Sequence, residues 1–154
     1  MDFRIKGLDP MPFARYFTMS EDELARHDGL RKVSDSKPGF PCRITMRDLE
    51  PGETVLLLNY EHLPVHSPYR SRHAVYVGTS RNPYDEVNQV PQALRDRLLA
   101  IRAFDPRGLM VDADIVEGRE CEPLIERLLA INGVDYLHAH YARRGCYAGR
   151  IERA

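Results

Sequence analysis

The sequence predicts an α+β fold with a mostly antiparallel sheet and a few short helices. Several segments of alternating apolar and polar residues follow one another with only short turns between them, which favours antiparallel pairing. We recognise about seven or eight strand segments against two to four helical ones. A helix predicted at 119–131 carries an apolar stripe that should pack on one sheet face, which leaves the other face for a shallow ligand groove.

Length and composition fit one globular domain over residues 1–154. The chain is 43% hydrophobic and 29% charged, as folded proteins are. Its 22 basic and 23 acidic residues give a net charge of −1, which argues against a generally basic nucleic-acid binder. The longest apolar run, 55–58, is too short for a membrane helix, and the first residues lack an apolar signal core. We therefore expect a cytoplasmic protein without a membrane partner.

The first third of the chain is predicted to contain a strand and a capped helix. Residues 3–6 alternate between apolar and polar side chains, so we expect an edge strand there, ended by the prolines that follow. A helical turn is expected at 13–17. Ser20 and Glu23 then form a capping box, which predicts a helix over 21–27 that stops at the next glycine.

The middle of the chain is predicted to alternate between short strands and loops. Two prolines and a glycine make 35–43 an irregular, fairly rigid loop, and further loops are expected at 61–71 and 82–88. The strands expected between these loops are 30–33, 44–46, 54–60 and 72–77.

The last third is predicted to contain a hairpin, a helix and two further strands. Pro91 begins a short helix with Leu98 and Leu99 on its apolar face. The sequence at 105–108, Asp-Pro-Arg-Gly, fits a type I turn with Pro at the second position and Gly at the fourth. The elements around this turn and after it are strands at 101–104 and 109–116, a helix at 119–131, and strands at 134–141 and 146–151.

The strongest catalytic candidates are His138 and His140. Alternation along a strand puts both imidazoles on one face, while the residues between them face the packed helix. His73 on another strand is positioned to complete a three-histidine metal site, and His62 and His66 are further candidates in a loop. No Asp or Glu follows at a ligand-like spacing, so singly hydrogen-bonded histidines remain the alternative to a metal site.

An arginine group is the second candidate. Arg70 and Arg72 precede or begin a strand next to a histidine, and Arg43 lies at the end of the proline loop. Guanidinium groups gathered in this way would bind a carboxylate or phosphate, with Tyr69 and Asn59 as additional ligand contacts. We expect the three arginines to converge on one groove. The alternative is a polar strand entrance with solvated charges.

Two cysteines beside arginines are the third candidate. Cys42 and Cys146 each follow or precede an arginine closely, and a cationic neighbour can prepare a thiol for nucleophilic attack. The alternative is that both are small core residues. Cys121 lies between two glutamates, which disfavours a thiolate there. No Cys-x-x-Cys pair exists, so a structural zinc site is not expected.

Several separated motifs resemble those of a bacterial domain-of-unknown-function family, number 1203. They are KPGFPCR at 37–43, PGE at 51–53, LLLNYEH at 56–62, PYRSRHA at 68–74, RAFD at 102–105 and RGCY at 144–147. The resemblance covers nearly the whole chain and implies a single small cytoplasmic bacterial domain. It implies no reaction, cofactor, partner or catalytic residue.

Three functions are compatible with these candidates. The first is a small enzyme or ligand-binding domain for an anionic metabolite, in which the arginines bind and the histidines and cysteines supply chemistry. The second is a metalloprotein that uses His73, His138 and His140. The third is a non-catalytic protein-interaction module with an arginine- and tyrosine-rich face. Neither a cofactor nor an oligomeric state follows from the sequence.

Overall fold

Nine strands form two antiparallel sheets in the computed structural model, which describes all residues 1–154. They are β1 (Phe3–Lys6), β2 (Gly29–Val33), β3 (Thr54–Leu63), β4 (Ser71–Gly78), β5 (Asp85–Val87), β6 (Leu98–Phe104), β7 (Met110–Glu117), β8 (Tyr136–Tyr141) and β9 (Tyr147–Arg153). The larger sheet has the order β5-β1-β9-β8-β6-β7, and the smaller has the order β2-β3-β4. The α+β class and its antiparallel pairing are confirmed.

Three α-helices are present, all short: α1 (Glu21–Arg26), α2 (Gln92–Arg95) and α3 (Cys121–Leu129). Two 3₁₀ helices cover Met11–Thr18 and Gly118–Glu120. The predicted capping box is confirmed, because the Glu23 amide donates to Ser20 Oγ at 3.2 Å and the Glu23 carboxylate accepts from the Ser20 amide. None of the helices combines the length and the apolar composition that crossing a membrane requires.

Two large hydrophobic cores lie on opposite sides of the larger sheet, and a small third cluster consists of Leu63, Phe104 and Tyr136. In the first, Ile125 and Leu128 of α3 pack with Leu137 and Ala139 of β8, as the apolar stripe predicts. In the second, apolar residues of β3 and β4 pack with Tyr147 of β9. The smaller sheet therefore covers the face of the larger sheet that α3 leaves free.

The N-terminal edge strand and the strand at 44–46 are wrong predictions. The polar segment β5, expected to be loop, pairs with β1, so β1 lies between β5 and β9 instead of at an edge. Residues 44–46 lie in a turn, where Met46 has a positive φ of 52° that no strand residue adopts.

Two strands are longer than expected, and the predicted hairpin is present. β3 continues through His62 to Leu63, where a loop was expected, and Leu98 and Leu99 belong to β6 and not to α2. At the β6–β7 turn the Gly108 amide donates to the Asp105 carbonyl at 3.0 Å, as in the predicted type I turn. The extension of β3 is the difference that matters for the site.

Candidate functional site

Histidines from both sheets meet at the interface between them. His138 and His140 of β8 share one face, as their alternation predicts, and His62 at the end of β3 approaches them from the smaller sheet. The ring centroid of His62 is 5.1 Å from that of His140 and 6.2 Å from that of His138. The ring centroids of His138 and His140 are 6.3 Å apart. We call these three residues the histidine cluster.

The ring of Tyr147 packs against all three members of the histidine cluster. It stacks on His62 at 5.4 Å and meets His138 and His140 edge-on at 4.9 and 6.0 Å. Tyr147 is itself almost fully buried, and burial raises the pKa of its hydroxyl far above the usual range. The hydroxyl therefore stays neutral, and the ring forms an apolar wall for the cluster.

The two β8 histidines are buried and incompletely hydrogen-bonded. His138 and His140 expose only 4% and 1% of their surface, and Nδ1 of His138 has no hydrogen-bond partner. Nδ1 of His62 is also buried without a partner. Buried polar atoms in folded proteins are nearly always satisfied, so two adjacent exceptions are a mark of a site.

His140 is held in one tautomer by the backbone. Its Nδ1 lies 3.0 Å from the Gly145 carbonyl oxygen. A carbonyl oxygen only accepts, so in the neutral ring Nδ1 carries the proton and donates it to this bond. Nε2 of His140 is then the unprotonated nitrogen, which is the one able to act as a base or as a metal ligand.

All three imidazoles of the cluster are neutral at physiological pH. Burial lowers the pKa of His62 to about 4, that of His138 to about 2 and that of His140 to about 3, and the positive charge of Arg102 adds to each shift. The nearby carboxylate of Glu61 only partly opposes the shift of His62. Nothing in the cluster supplies a counter-charge that would hold an imidazolium.

Arg102 is a charged neighbour of the histidine cluster that local sequence patterns do not predict. It pairs with His138 in the register between β6 and β8, and its guanidinium is half-buried. Burial lowers its pKa, and no carboxylate offsets that effect. Arg102 takes part in no ion pair or side-chain hydrogen bond, unlike Arg150 on the other side of His138, which binds Glu152 at 3.1 Å.

His73 lies at the partly exposed edge of the same cluster. It pairs with Tyr60 across β4 and β3, on the face of β4 that also carries Val75 and Val77. Its Nδ1 is 3.2 Å from the Ala74 carbonyl oxygen, and its ring packs against none of the three cluster rings. The structure thus brings His138 and His140 together with His62, and it leaves His73 at the periphery.

The predicted convergence of Arg43, Arg70 and Arg72 does not occur. Arg70 is exposed and forms an ion pair with Glu61 at 3.0 Å. Arg72 is exposed and binds the side chain of Asn59, because alternation along β4 turns it away from the face that holds His73. Asn59 and the exposed Tyr69, whose ring meets Phe104, are likewise outside the histidine cluster.

Arg43 is instead buried on the far side of Tyr147. Its Nε donates to the Tyr147 carbonyl at 2.8 Å, Nη1 to the Pro41 carbonyl at 2.6 Å, and Nη2 lies 3.0 Å from Cys146 Sγ. Cys42 is a buried core residue whose sulfur accepts from the Gly78 amide. Of the two cysteine candidates, only Cys146 has a sulfur that accepts a hydrogen bond from a guanidinium.

Cys121, the remaining cysteine, is a core residue at the start of α3. Burial raises the pKa of its thiol to about 11, and the charge of Glu122 adds to the shift. This agrees with its exclusion on the basis of its acidic neighbours.

No group of three or more His, Cys, Asp and Glu side chains has an arrangement that could hold a metal ion. The rings of the histidine cluster are neighbours, but their side chains are not arranged around a common point. The three histidine rings are therefore close to one another, but their nitrogens do not have the arrangement that a metal site requires.

His62 was expected in a loop and Arg102 was not selected as a site residue, for different reasons. The alternation of Leu56, Leu58 and Tyr60 continues to His62, so extending the period by one step would have placed it on the buried face. Arg102 reaches the cluster only because β6 pairs with β8, a contact between distant segments that no local pattern encodes.

A protein-family model described as "Protein of unknown function (DUF1203)" matches residues 39–153. The matched span contains every member of the histidine cluster together with Arg43, Arg102 and Cys146. No curated protein and no solved structure matches the chain.

Proposed function

The chain belongs to the DUF1203 family, whose description assigns no activity, and we propose from the site alone that the protein binds a small anionic ligand beside the histidine cluster. The ligand would be a carboxylate- or phosphate-bearing metabolite. Arg102 supplies the positive charge, and the imidazoles supply hydrogen bonds and proton transfer.

The unpaired guanidinium of Arg102 carries this proposal. A guanidinium has five N–H donors, and those of Arg102 meet no acceptor of the protein although the side chain is half-buried, so they are available to a ligand. An oxygen-rich anion would accept these hydrogen bonds and neutralise the charge. The imidazoles around Arg102 are uncharged, so no group of the protein already occupies this role.

Proton transfer would depend on His140 and on the partly exposed His73. The Gly145 carbonyl fixes the His140 proton on Nδ1, so Nε2 is the nitrogen that would accept a proton from a bound substrate once the anion has raised the lowered pKa of the ring. This orientation of a base by a backbone acceptor is the arrangement that acid–base enzymes use. His73 has contact with solvent and would exchange the proton with water.

The first experiment is calorimetric titration with inorganic phosphate and with succinate at low ionic strength. We compare the wild type with Arg102→Gln, and with Arg26→Gln as a matched control on the exposed side of α1. Loss of one charged hydrogen-bond donor should weaken binding by about tenfold to a hundredfold in Arg102→Gln and leave the control unchanged. Equal binding by all three proteins, or no binding by the wild type, would overturn the proposal.

A second experiment uses NMR of the imidazole nitrogens to locate the bound anion, and the pH dependence of binding to test whether the anion favours protonated imidazoles. Phosphate should shift the imidazole nitrogen resonances of His62, His138 and His140, because the ligand lies beside these rings. An anion favours the imidazolium form and should raise the pKa of the adjacent imidazoles. Binding of sulfate, which stays a dianion over this range, should therefore take up protons and tighten as the pH falls from about 7 to about 5. Stoichiometric zinc binding that His140→Ala abolishes, without any anion binding, would favour the metal alternative.

A further inference from the structure

A cavity lined by arginines lies apart from the histidine cluster, since neither the three histidines nor Arg102 contribute to its walls. It has a volume of about 440 Å³ and opens between the proline loop and the turn that joins β8 to β9. The residues that give it its chemistry are Arg43, Arg97, Tyr141, Arg143, Arg144 and Cys146. We call it the arginine cavity.

Positive charge dominates the arginine cavity. Arg43 is fully buried and has no carboxylate partner, since its guanidinium binds two carbonyls and a sulfur and stacks on Tyr141 at 4.8 Å. Arg143 and Arg144 are exposed at the rim and take part in no ion pair. Only Arg97 is neutralised, by two hydrogen bonds of 2.8 and 2.6 Å to Asp48.

Two carboxylates also line the cavity, without cancelling its charge. Asp96 is engaged by Gln92 and, at 3.7 Å, by Arg119, and Glu117 lies at the end of β7. With Asp48 counted as the partner of Arg97, four guanidinium groups meet three carboxylates. The cavity therefore keeps a positive charge and favours anionic over neutral molecules.

Cys146 places a nucleophile in the wall of this positive cavity. Its sulfur accepts a hydrogen bond from Arg43 Nη2 at 3.0 Å, and the residue is buried in the core that α3 covers, with 6% of its surface exposed to the cavity side of the molecule. Reactive cysteines occur in such electropositive, partly accessible surroundings, whereas structural cysteines lie in apolar ones. Cys42 and Cys121 are buried more completely, with 1% and 0% exposure, and the sulfur of neither one accepts a hydrogen bond from a guanidinium.

We propose that Cys146 is a nucleophile for small anionic electrophiles, which the arginine cavity attracts and orients. Arg143 and Arg144 draw a carboxylate- or phosphate-bearing molecule to the rim, and Arg43 faces the attacking sulfur. The sulfur forms a bond with the electrophilic carbon, the leaving group departs with the electron pair of the broken bond, and the thiol proton passes to water. This site is separate from the histidine cluster, so it does not depend on anion binding at Arg102.

Charge-selective alkylation of the native protein tests the proposal. Iodoacetate and iodoacetamide deliver similar groups, but only the first is an anion; in each case a carbon–sulfur bond forms and iodide leaves. The rates at Cys42, Cys121 and Cys146 are measured separately by mass spectrometry of peptides. The ratio of the two reagents at the same cysteine in urea gives their intrinsic preference.

The expected result is selective labelling of Cys146 with a preference for the anion. The iodoacetate to iodoacetamide ratio at Cys146 should exceed its value in urea by about tenfold, and added salt should reduce this excess. Cys42 and Cys121 should label slowly with both reagents. In the double variant Arg143→Gln/Arg144→Gln, the ratio should fall several-fold while the iodoacetamide rate stays the same, because both side chains are exposed and the fold is kept.

Two outcomes would overturn the proposal. One is a folded protein in which Cys146 labels no faster than Cys42 and Cys121. The other is a ratio at Cys146 equal to that in urea and insensitive to the double variant. Arg102→Gln serves as the control that separates the two sites, since it should leave the alkylation ratio unchanged whether or not it weakens phosphate binding.

Discussion

Individual buried residues of this protein are polar where an apolar side chain would fit. His138 lies among Phe104, Tyr136 and Tyr147 rings at 5.4, 5.1 and 4.9 Å, in surroundings that suit a hydrocarbon. Its Nδ1 gains no hydrogen bond there. A buried histidine without a hydrogen bond on Nδ1 does not stabilise the fold at this position. A functional role explains its presence better, and this supports the histidine cluster as the site.

The buried histidines make stability depend on pH in a direction that can be worked out. The folded pKa of His138 is about 2 and that of His140 about 3, against 6.5 for the free side chain. Between these values the unfolded chain binds protons that the folded chain does not, so stability is full above about pH 6.5 and falls as the pH is lowered.

His138→Leu should therefore reduce the acid sensitivity of the protein. Each buried neutral histidine contributes up to about 1.4 kcal/mol per pH unit to the change of unfolding free energy with pH between roughly pH 6 and pH 4. His138→Leu should lose the contribution of one histidine. Urea titrations at several pH values measure the slope. The exposed His66→Leu variant is the control and should leave it unchanged. An identical slope in wild type and His138→Leu would contradict the burial of a neutral imidazole.

At the scale of elements, alternation and turn chemistry determine what the sequence reveals. The common face of His138 and His140 and the hairpin at 105–108 both follow from local rules and are present in the structure. The strand β5 was missed because it is short and polar and exists only through its pairing with β1. Local patterns likewise could not show that β6 places Arg102 beside β8. They also could not show that the buried Arg43 side chain donates a hydrogen bond to the Tyr147 carbonyl.

Two glycines show how tightly neighbouring elements approach each other. A Cβ on Gly118, between β7 and α3, would lie 1.8 Å from the Leu94 carbonyl oxygen and 2.8 Å from that of Arg97. A Cβ on Gly149 of β9 would lie 2.5 Å from the methyl end of the Met46 side chain, which can rotate away. The Leu94 and Arg97 carbonyls next to Gly118 belong to the backbone and cannot move aside, whereas the Met46 side chain next to Gly149 can change its rotamer.

Gly118→Ala should consequently destabilise the protein far more than Gly149→Ala. We expect a loss of about 3 kcal/mol in unfolding free energy for Gly118→Ala and about 1 kcal/mol or less for Gly149→Ala. Neither glycine has a positive φ, so the comparison isolates contact from backbone conformation. Urea unfolding of the two variants at neutral pH measures the difference, and a reversed order would show that α2 does not pack on Gly118 as described.

On the scale of the whole molecule, one turn joins the two sheets. The Arg43 amide donates to the Tyr76 carbonyl of β4 at 2.9 Å, and its Nε donates to the Tyr147 carbonyl of β9 at 2.8 Å. The same turn accepts from the Leu8 and Tyr84 amides, both at 2.8 Å. Separating the sheets would therefore break buried hydrogen bonds on both sides of this turn at once, and would also expose the histidine cluster.

The two sheets should accordingly unfold together in one transition at neutral pH. We expect calorimetric and van't Hoff enthalpies to agree, and tyrosine circular dichroism to change together with the backbone signal, since the chain has eight tyrosines and no tryptophan. Arg43→Met removes the side-chain hydrogen bonds but keeps an unbranched apolar side chain and the backbone bond to Tyr76. Because the Tyr147 and Pro41 carbonyls then lose their buried partner, the unfolding free energy should fall by about 3 kcal/mol. That variant should shift the single transition to lower temperature without splitting it. A separate earlier transition of the smaller sheet in the wild type would instead mean that the histidine cluster lies between independently folding parts, and its burial would then be conditional on their docking.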